Sequence, residues 1–168
     1  MANLAALLEN SVEKFADRTA IVFGDTRLTY AQVDGAANQV ANLLVERGIR
    51  PGDKVALSCP NLPYFPIVYY GILKAGATVV PLNVLLKGRE VAYHLGDSEA
   101  KAYFCFQGTE ELPIGQEGWK GFNEADGTVE GRGAWAVPAV AAGLLGSAAI
   151  AADLRKAGRI IARSRDDG

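Results

Sequence analysis

The sequence has very little of the residue types that metal and thiol chemistry require. It contains one histidine, one methionine and two cysteines among 168 residues. Cys59 and Cys105 each lie inside an apolar run, and two isolated cysteines do not provide the spacing of a zinc site. We therefore predict two buried, reduced thiols and no metal site.

A strong charge of either sign is also missing. The 17 Lys and Arg residues nearly balance the 19 Asp and Glu residues, for a formal net charge of −2. This balance argues against a nucleic-acid partner, and the 49% content of hydrophobic residues argues against disorder. Residues 1–8 lack the basic segment that begins a signal peptide. Together these absences predict a cytoplasmic protein.

One long uncharged stretch, residues 133–152, has the length of a membrane span but little apolar content. Its strongly apolar residues are Trp135, Val137, Val140, Leu144, Leu145 and Ile150. At about −0.3 to −0.6 kcal/mol each they sum to roughly −2 to −3.5 kcal/mol, which Pro138 and several glycines oppose. We predict a soluble or peripheral helix here. Arginines and Lys156 further on leave a weak membrane-surface contact as an alternative.

The composition changes near Gly127. Thirteen of the fourteen aromatic residues precede it, whereas Ala, Gly and Arg fill 22 of the 40 positions in residues 129–168. We predict two parts: a patterned domain over residues 1–127, and a helical or disordered Ala/Gly/Arg-rich tail over residues 128–168. A change of reading frame near Thr128 would also produce such a break.

The first part alternates between helical and extended patterns. Apolar residues at helical spacing predict a helix from Leu4 to Phe15, and a hairpin follows around Gly24-Asp25. Thr29 and Gln32 have the spacing of a capping box that begins a second helix. Beyond it, strands at 54–59, 78–82 and 102–106 alternate with helices around 64–75 and 87–95. Continuous apolar strands between amphipathic helices predict an α/β fold with a parallel sheet covered on both faces.

Four segments of this part resemble one family. They are Leu-Thr-Tyr-Ala-Gln-Val at 28–33, Gly-Asp-Lys-Val-Ala-Leu-Ser-Cys-Pro-Asn at 52–61, Leu-Lys-Ala-Gly-Ala-Thr-Val-Val-Pro-Leu-Asn at 73–83, and residues 90–101. In this order and spacing the segments resemble the N-terminal part of the AMP-binding, adenylate-forming family, and most of all its bacterial fatty-acyl-CoA ligases. The resemblance covers residues 1–106.

The resemblance implies an ATP-dependent fatty-acid–CoA ligase that uses ATP, Mg²⁺ and coenzyme A. It also implies a Ser/Thr/Gly-rich loop followed by Pro-Lys-Gly, and neither this loop nor a Walker-type run occurs in the 168 residues. The matching residues Thr29, Gly76 and Pro81 have structural roles, so no catalytic, cofactor-binding or metal-binding residue is assigned. We expect the chain alone to bind no cofactor and to be inactive.

Three other features have ordinary structural interpretations. His94 is expected to be a surface or half-buried helix residue. Tyr64, Tyr69 and Tyr70 are expected to pack along a helix face. The Gly-x-Gly-x-x-Ala pattern at 131–136 lacks a preceding strand, which favours chance composition over dinucleotide binding.

Three functional hypotheses remain open at this point. The chain is a truncated, silent ligase, or one subunit of a split ligase completed by a second chain. In the second case the sheet is expected to offer an open edge near residues 102–106. The third hypothesis is a non-enzymatic, membrane-associated interaction protein that uses the tail.

Overall fold

The computed structural model describes residues 3–125 and 133–137. Its elements are α1 (Ala5–Phe15), β1 (Thr19–Phe23), β2 (Thr26–Thr29), α2 (Tyr30–Glu46), β3 (Lys54–Ser58), α3 (Tyr64–Lys74), β4 (Thr78–Pro81), α4 (Gly88–Asp97), β5 (Ala102–Phe106), α5 (Ile114–Glu124) and β6 (Gly133–Val137). Strands β1 and β2 form an antiparallel hairpin. The other four strands form a parallel sheet in the order β4-β3-β5-β6. The predicted α/β class is confirmed.

The helices form two layers, and the strand order explains why. The chain moves in one direction across the sheet from β3 to β4, and in the other direction from β4 to β5 and from β5 to β6. Because connections between parallel strands are right-handed, α3 covers one face of the sheet while α4 and α5 cover the other. Accordingly, α2 packs on α3, and α4 packs on α5.

The two central strands form the core. Every residue of β5 is buried, as are the last four residues of β3. Burial on both faces is what a parallel sheet between helix layers requires, and it explains why these strands read as continuous apolar runs. Ser58 is the one buried polar residue among the described residues, and it lies at the carboxyl end of β3.

Helices α2, α3 and α4 end in the same way. Each is followed by a residue with a left-handed backbone: Gly48 (φ 83°), Gly76 (φ 75°) and Glu99 (φ 53°). The next N–H in each case bonds back to a carbonyl five residues earlier, as in Ile49 N to Leu44 O at 3.0 Å. This is the Schellman arrangement, in which glycine is the favoured residue. Helix α4 ends at Asp97, and Glu99 takes the left-handed position that glycine occupies after α2 and α3.

The predicted capping box at the start of α2 is confirmed. The Gln32 backbone N–H donates to Thr29 Oγ1 at 3.2 Å, and the Thr29 N–H donates to Gln32 Oε1 at 2.9 Å. The N-cap residue Thr29 is also the last residue of β2, so the hairpin leads directly into the helix.

The structure corrects several expectations. Strand β5 pairs with β3 on one side and β6 on the other, so the open edge expected near residues 102–106 is wrong. Residues 133–137 form a strand, which differs from the helix or disorder expected for that part of the tail. Helix α5 was not predicted from the sequence. The expected domain boundary at 127–128 and the tail from 138 onwards lie outside the described residues.

Candidate functional site at the carboxyl edge of the sheet

The strand order places a topological switch point between β3 and β5. These strands are neighbours, but the loop after β3 leads to α3 on one face and the loop after β5 leads to α5 on the other. Open α/β sheets bind ligands in the crevice where two such loops diverge. A ligand crevice is therefore expected at the carboxyl ends of β3 and β5.

A buried polar cluster lies at this position. The Tyr103 hydroxyl donates a hydrogen bond to Ser58 Oγ at 2.8 Å, and both residues are buried. Cys105 points to the same face as Tyr103 because the two are separated by one residue in a strand. Its thiol lies 3.5 Å from the carbonyl oxygens of Phe106 and Ile114. The phenol, hydroxyl and thiol are thus satisfied by groups of the protein itself.

Helix α5 closes over this cluster through a glycine. A Cβ at Gly118 would collide with Cys105 Sγ and would lie 3.0 Å from the Tyr103 hydroxyl. Gly118 itself is buried. The helix backbone therefore takes the space that a ligand or solvent would need next to the thiol.

Burial keeps the thiol and phenol of the cluster protonated, and also the thiol of Cys59, the residue after Ser58. Burial, with a smaller effect of Cys105, raises the pKa of Cys59 to about 12, and burial raises the pKa of Cys105 to about 11. Burial also raises the pKa of Tyr103 above its ordinary value. Because the thiolate is the nucleophilic form of cysteine, neither thiol is activated at neutral pH. Both cysteines are free and buried, as predicted.

A second polar centre joins three helices in the other layer. The Lys74 ammonium lies 2.9 Å from Glu9 Oε1 and 2.9 Å from Asp34 Oδ1. Burial alone would lower the pKa of Lys74, but the hydrogen bonds to Asp34 and Glu9 outweigh this effect and raise it. The ammonium stays charged and its partners are protein carboxylates, so this centre is structural.

The other residues considered in the sequence have structural positions too. His94 is half-buried on α4, and its ring meets that of Tyr93 edge-on at 5.4 Å. Tyr64 is buried, and Tyr69 contacts the rings of Phe65 and Tyr70 along α3. In the Gly-x-Gly-x-x-Ala pattern, residues 133–136 lie within β6. A dinucleotide-binding pattern needs them in a turn after a strand, so the pattern does not have that geometry.

Within residues 3–125 and 133–137 there is neither a group of metal ligands nor a membrane-spanning helix. Over these ranges, no three His, Cys, Asp or Glu side chains are grouped so that they could hold a metal ion. No helix within the same ranges combines the length and apolar character needed to cross a bilayer.

Comparison with known proteins extends the resemblance from motifs to the whole described fold. A family model described as "AMP-binding enzyme" matches residues 8–148. The chain is 38% identical over 100 residues to a medium/long-chain-fatty-acid–CoA/3-oxocholest-4-en-26-oate–CoA ligase of Mycobacterium marinum, covering 60% of this chain and 18% of that protein. It is 46% identical over 77 residues to the long-chain-fatty-acid–CoA ligase FadD13 of Mycobacterium tuberculosis, covering 46% of this chain and 15% of the relative.

Solved structures agree with the sequence matches. A fatty acyl CoA synthetase of Mycobacterium tuberculosis superimposes with a TM-score of 0.70 and 30% identity, covering 92% of this chain and 28% of that one. The N-terminal domain of FACL13 from the same organism gives a TM-score of 0.70 and 32% identity, covering 94% of this chain and 37% of that one. The chain thus spans less than a fifth of the length of these curated relatives, at 18% and 15%. It belongs to the AMP-binding enzyme family and corresponds to the N-terminal part of its acyl-CoA synthetases.

Proposed function

We propose that this chain is the N-terminal scaffold of an ATP-dependent fatty-acid–CoA ligase and that it contributes none of the reacting groups. The observation that carries the proposal is the state of the carboxyl edge of the sheet. There, the Tyr103 hydroxyl is hydrogen-bonded to Ser58 and Cys105 remains a protonated thiol. Helix α5 packs over Tyr103 and Cys105. The names of the mycobacterial relatives support a fatty acid as the substrate of the whole ligase.

The reaction explains which groups must come from elsewhere. A carboxylate attacks the α-phosphate of ATP to give an acyl-adenylate and pyrophosphate, and the thiol of coenzyme A then displaces AMP from the acyl carbon. Such chemistry depends on positioning and on neutralising phosphate charge, through backbone N–H groups, a lysine and Mg²⁺. The 168 residues contain no glycine-rich run followed by Pro-Lys-Gly. We place the contacts to ATP, Mg²⁺ and coenzyme A on other residues of the ligase.

An exchange assay tests this assignment. The purified 168-residue chain is incubated with Mg-ATP, labelled pyrophosphate and palmitate, and label incorporation into ATP is measured. We expect no incorporation above the level without protein, while full-length FadD13 serves as the active control. Incorporation that depends on both the chain and the fatty acid would contradict the scaffold assignment. So would binding of Mg-ATP by the isolated chain in calorimetry.

A second candidate function is one subunit of a split ligase. It is supported by large apolar side chains that stay exposed on separate elements, among them Leu7 on α1, Val22 on β1 and Tyr93 on α4. In this case a second chain covers these positions and supplies the phosphate loop. Co-expression with the part of FadD13 that follows its matched segment tests this idea. Co-purification with restored acyl-CoA formation supports the split ligase, and separate elution without activity contradicts it.

The membrane-associated alternative and the cytoplasmic location remain predictions, because the tail from 138 onwards lies outside the described residues. A flotation assay with anionic liposomes separates the possibilities. Recovery of the chain at the bottom of the gradient would exclude stable membrane contact.

A further inference from the structure

Helix α1 has a weak apolar attachment to the rest of the molecule. It contacts both α2 and α3, but only Ala5 and Leu8 are buried, with Val12 half-buried beside the core. Leu4 and Leu7 are 55% and 59% exposed. Elements with few buried apolar contacts are the first to open in folded proteins.

A single ammonium group compensates for this weak packing. Lys74, the last residue of α3, binds Glu9 of α1 and Asp34 of α2, each at 2.9 Å, and its side chain is only 9% exposed. Asn3 adds one more hydrogen bond, because its Nδ2 donates to the Leu73 carbonyl at 2.7 Å. The amino-terminal half of α1 is therefore held by polar contacts to the end of α3 in addition to the buried Ala5 and Leu8.

The other end of α1 is anchored differently. The Ala31 N–H donates to the Ala16 carbonyl, and the Tyr30 N–H donates to the Arg18 carbonyl, both at 3.0 Å. These backbone bonds join the segment after α1 to the start of α2 and involve no charged side chain. They involve none of the groups that Lys74 contacts, so residues 16–18 are attached independently of Lys74.

From this asymmetry we propose that α1 is a detachable strap, fixed at residues 16–18 and latched by Lys74 through Glu9 and Asp34. Opening the latch releases α1 as a unit while the sheet and the α2–α3 pair stay folded. Loss of the ammonium would leave the Glu9 and Asp34 carboxylates near each other without a cation, which favours separation of α1 from α2. Release uncovers the apolar surface that Leu8 covers in the closed state.

Hydrogen exchange on the full 168-residue chain tests the latch. We compare the wild type with Glu9→Gln, which removes only the partner on α1, and with Lys74→Met, which removes the shared cation. The matched control is Lys54→Met, because Lys54 forms an ion pair with Glu99 in a distant, exposed position. We expect amides of α1 to exchange at least tenfold faster in both latch variants, and amides of β3 and β5 to keep their rates. The Lys54→Met control should leave α1 unchanged.

Two outcomes would overturn the strap. In one, exchange rises equally in α1 and in the sheet, which means that the latch only contributes to global stability. In the other, α1 keeps its wild-type rate in Glu9→Gln, which means that the ion pair does not hold it. If Lys74→Met fails to fold, Glu9→Gln decides alone. Trypsin cleavage after Lys14 gives a second readout, because that bond lies in the last turn of α1 and is cleaved faster when the open form is more populated.

Discussion

At the residue scale, backbone conformation at helix ends places specific demands on side chains. Gly48 and Gly76 adopt a left-handed backbone without strain because they have no Cβ, whereas Glu99 adopts the same conformation with a side chain attached. Residues with a Cβ reach this region at a cost of about 1 kcal/mol. Glu99 gains an ion pair with Lys54, but its side chain is 73% exposed, and exposed pairs stabilise little.

We therefore predict that Glu99→Gly raises the free energy of unfolding by about 0.5–1 kcal/mol, because it removes backbone strain and loses only an exposed pair. The measurement is urea denaturation followed by circular dichroism. Gly48→Ala is the matched reverse change, since a Cβ there meets no atom within 4 Å and only its backbone is strained. It should lower stability by a similar amount. A loss of stability in Glu99→Gly would show that the ion pair dominates.

Also at the residue scale, the buried thiols predict instability at alkaline pH. The pKa of Cys59 is raised to about 12 in the folded chain, from the ordinary value of 9.0. Above pH 9 the unfolded chain releases this proton while the folded chain keeps it. The contribution of Cys59 to the free energy of unfolding is therefore fully present below pH 9 and is lost as the pH rises. Between pH 8 and pH 10 we expect the free energy of unfolding of Cys59→Ala to fall by about 1 kcal/mol less than that of the wild type.

Urea midpoints at the two pH values give this difference, and comparing losses within each protein removes the cost of the substitution itself. An equal loss in both proteins would mean that Cys59 ionises as readily in the folded state as in the unfolded state.

At the scale of elements, the α2–α3 pair depends on one close approach. A Cβ at Gly71 would lie 2.5 Å from Val40 Cβ and 2.9 Å from the Ala37 carbonyl oxygen. The backbones of the two helices can pack this closely only without a side chain at this position. The same principle applies to α5, where Gly118 meets Cys105 and Gly121 meets Val91.

Gly71→Ala should therefore destabilise the chain by about 1–3 kcal/mol, because overpacking outweighs the better helix propensity of alanine. Gly35→Ala, in α2, is the control, since a Cβ there meets nothing within 4 Å. That change should stabilise by about 0.5–1 kcal/mol. Thermal melts of both variants distinguish the effects. If both changes shifted the melting temperature upward, the α2–α3 contact would be more adjustable than its geometry indicates.

At the scale of the whole molecule, β6 determines whether the central strands have an open edge. Strand β5 consists entirely of buried residues and pairs with β6 along Ala102–Phe106. Without β6, this apolar strand would become an edge with unpaired backbone groups, which favours association between chains.

A chain ending at Ala125 is accordingly predicted to form oligomers or aggregates, whereas a chain ending at Val137, which retains β6, stays monomeric. Size-exclusion chromatography with light scattering measures the difference at matched concentrations. Monomers in both cases would mean that β6 does not protect the edge of β5 in solution.

The sequence alone was enough to predict the elements from α1 to β5 and the family. The capping box at Thr29 and the apolar runs of β3 and β5 depend on neighbouring residues, so they can be predicted along the chain. The buried state of both thiols followed from their apolar flanks. The family resemblance came from the same segments, because they combine strand, turn and helix signals in a fixed order.

Other features were decided only by contacts between residues distant in sequence. Pairing of β6 with β5 removes the open edge that was expected from the sequence, and the glycine contacts of α5 depend on partners on β5 and α4. Helical periodicity placed Leu7 and Leu8 in one apolar helix, but only packing on α2 and α3 determined that Leu8 is buried and Leu7 exposed. The link from Lys74 to Glu9 and Asp34 spans three helices. Periodicity and capping depend on interactions between residues close in sequence. Strand order and charge pairing depend on the arrangement of the whole chain, because their partners are distant in sequence.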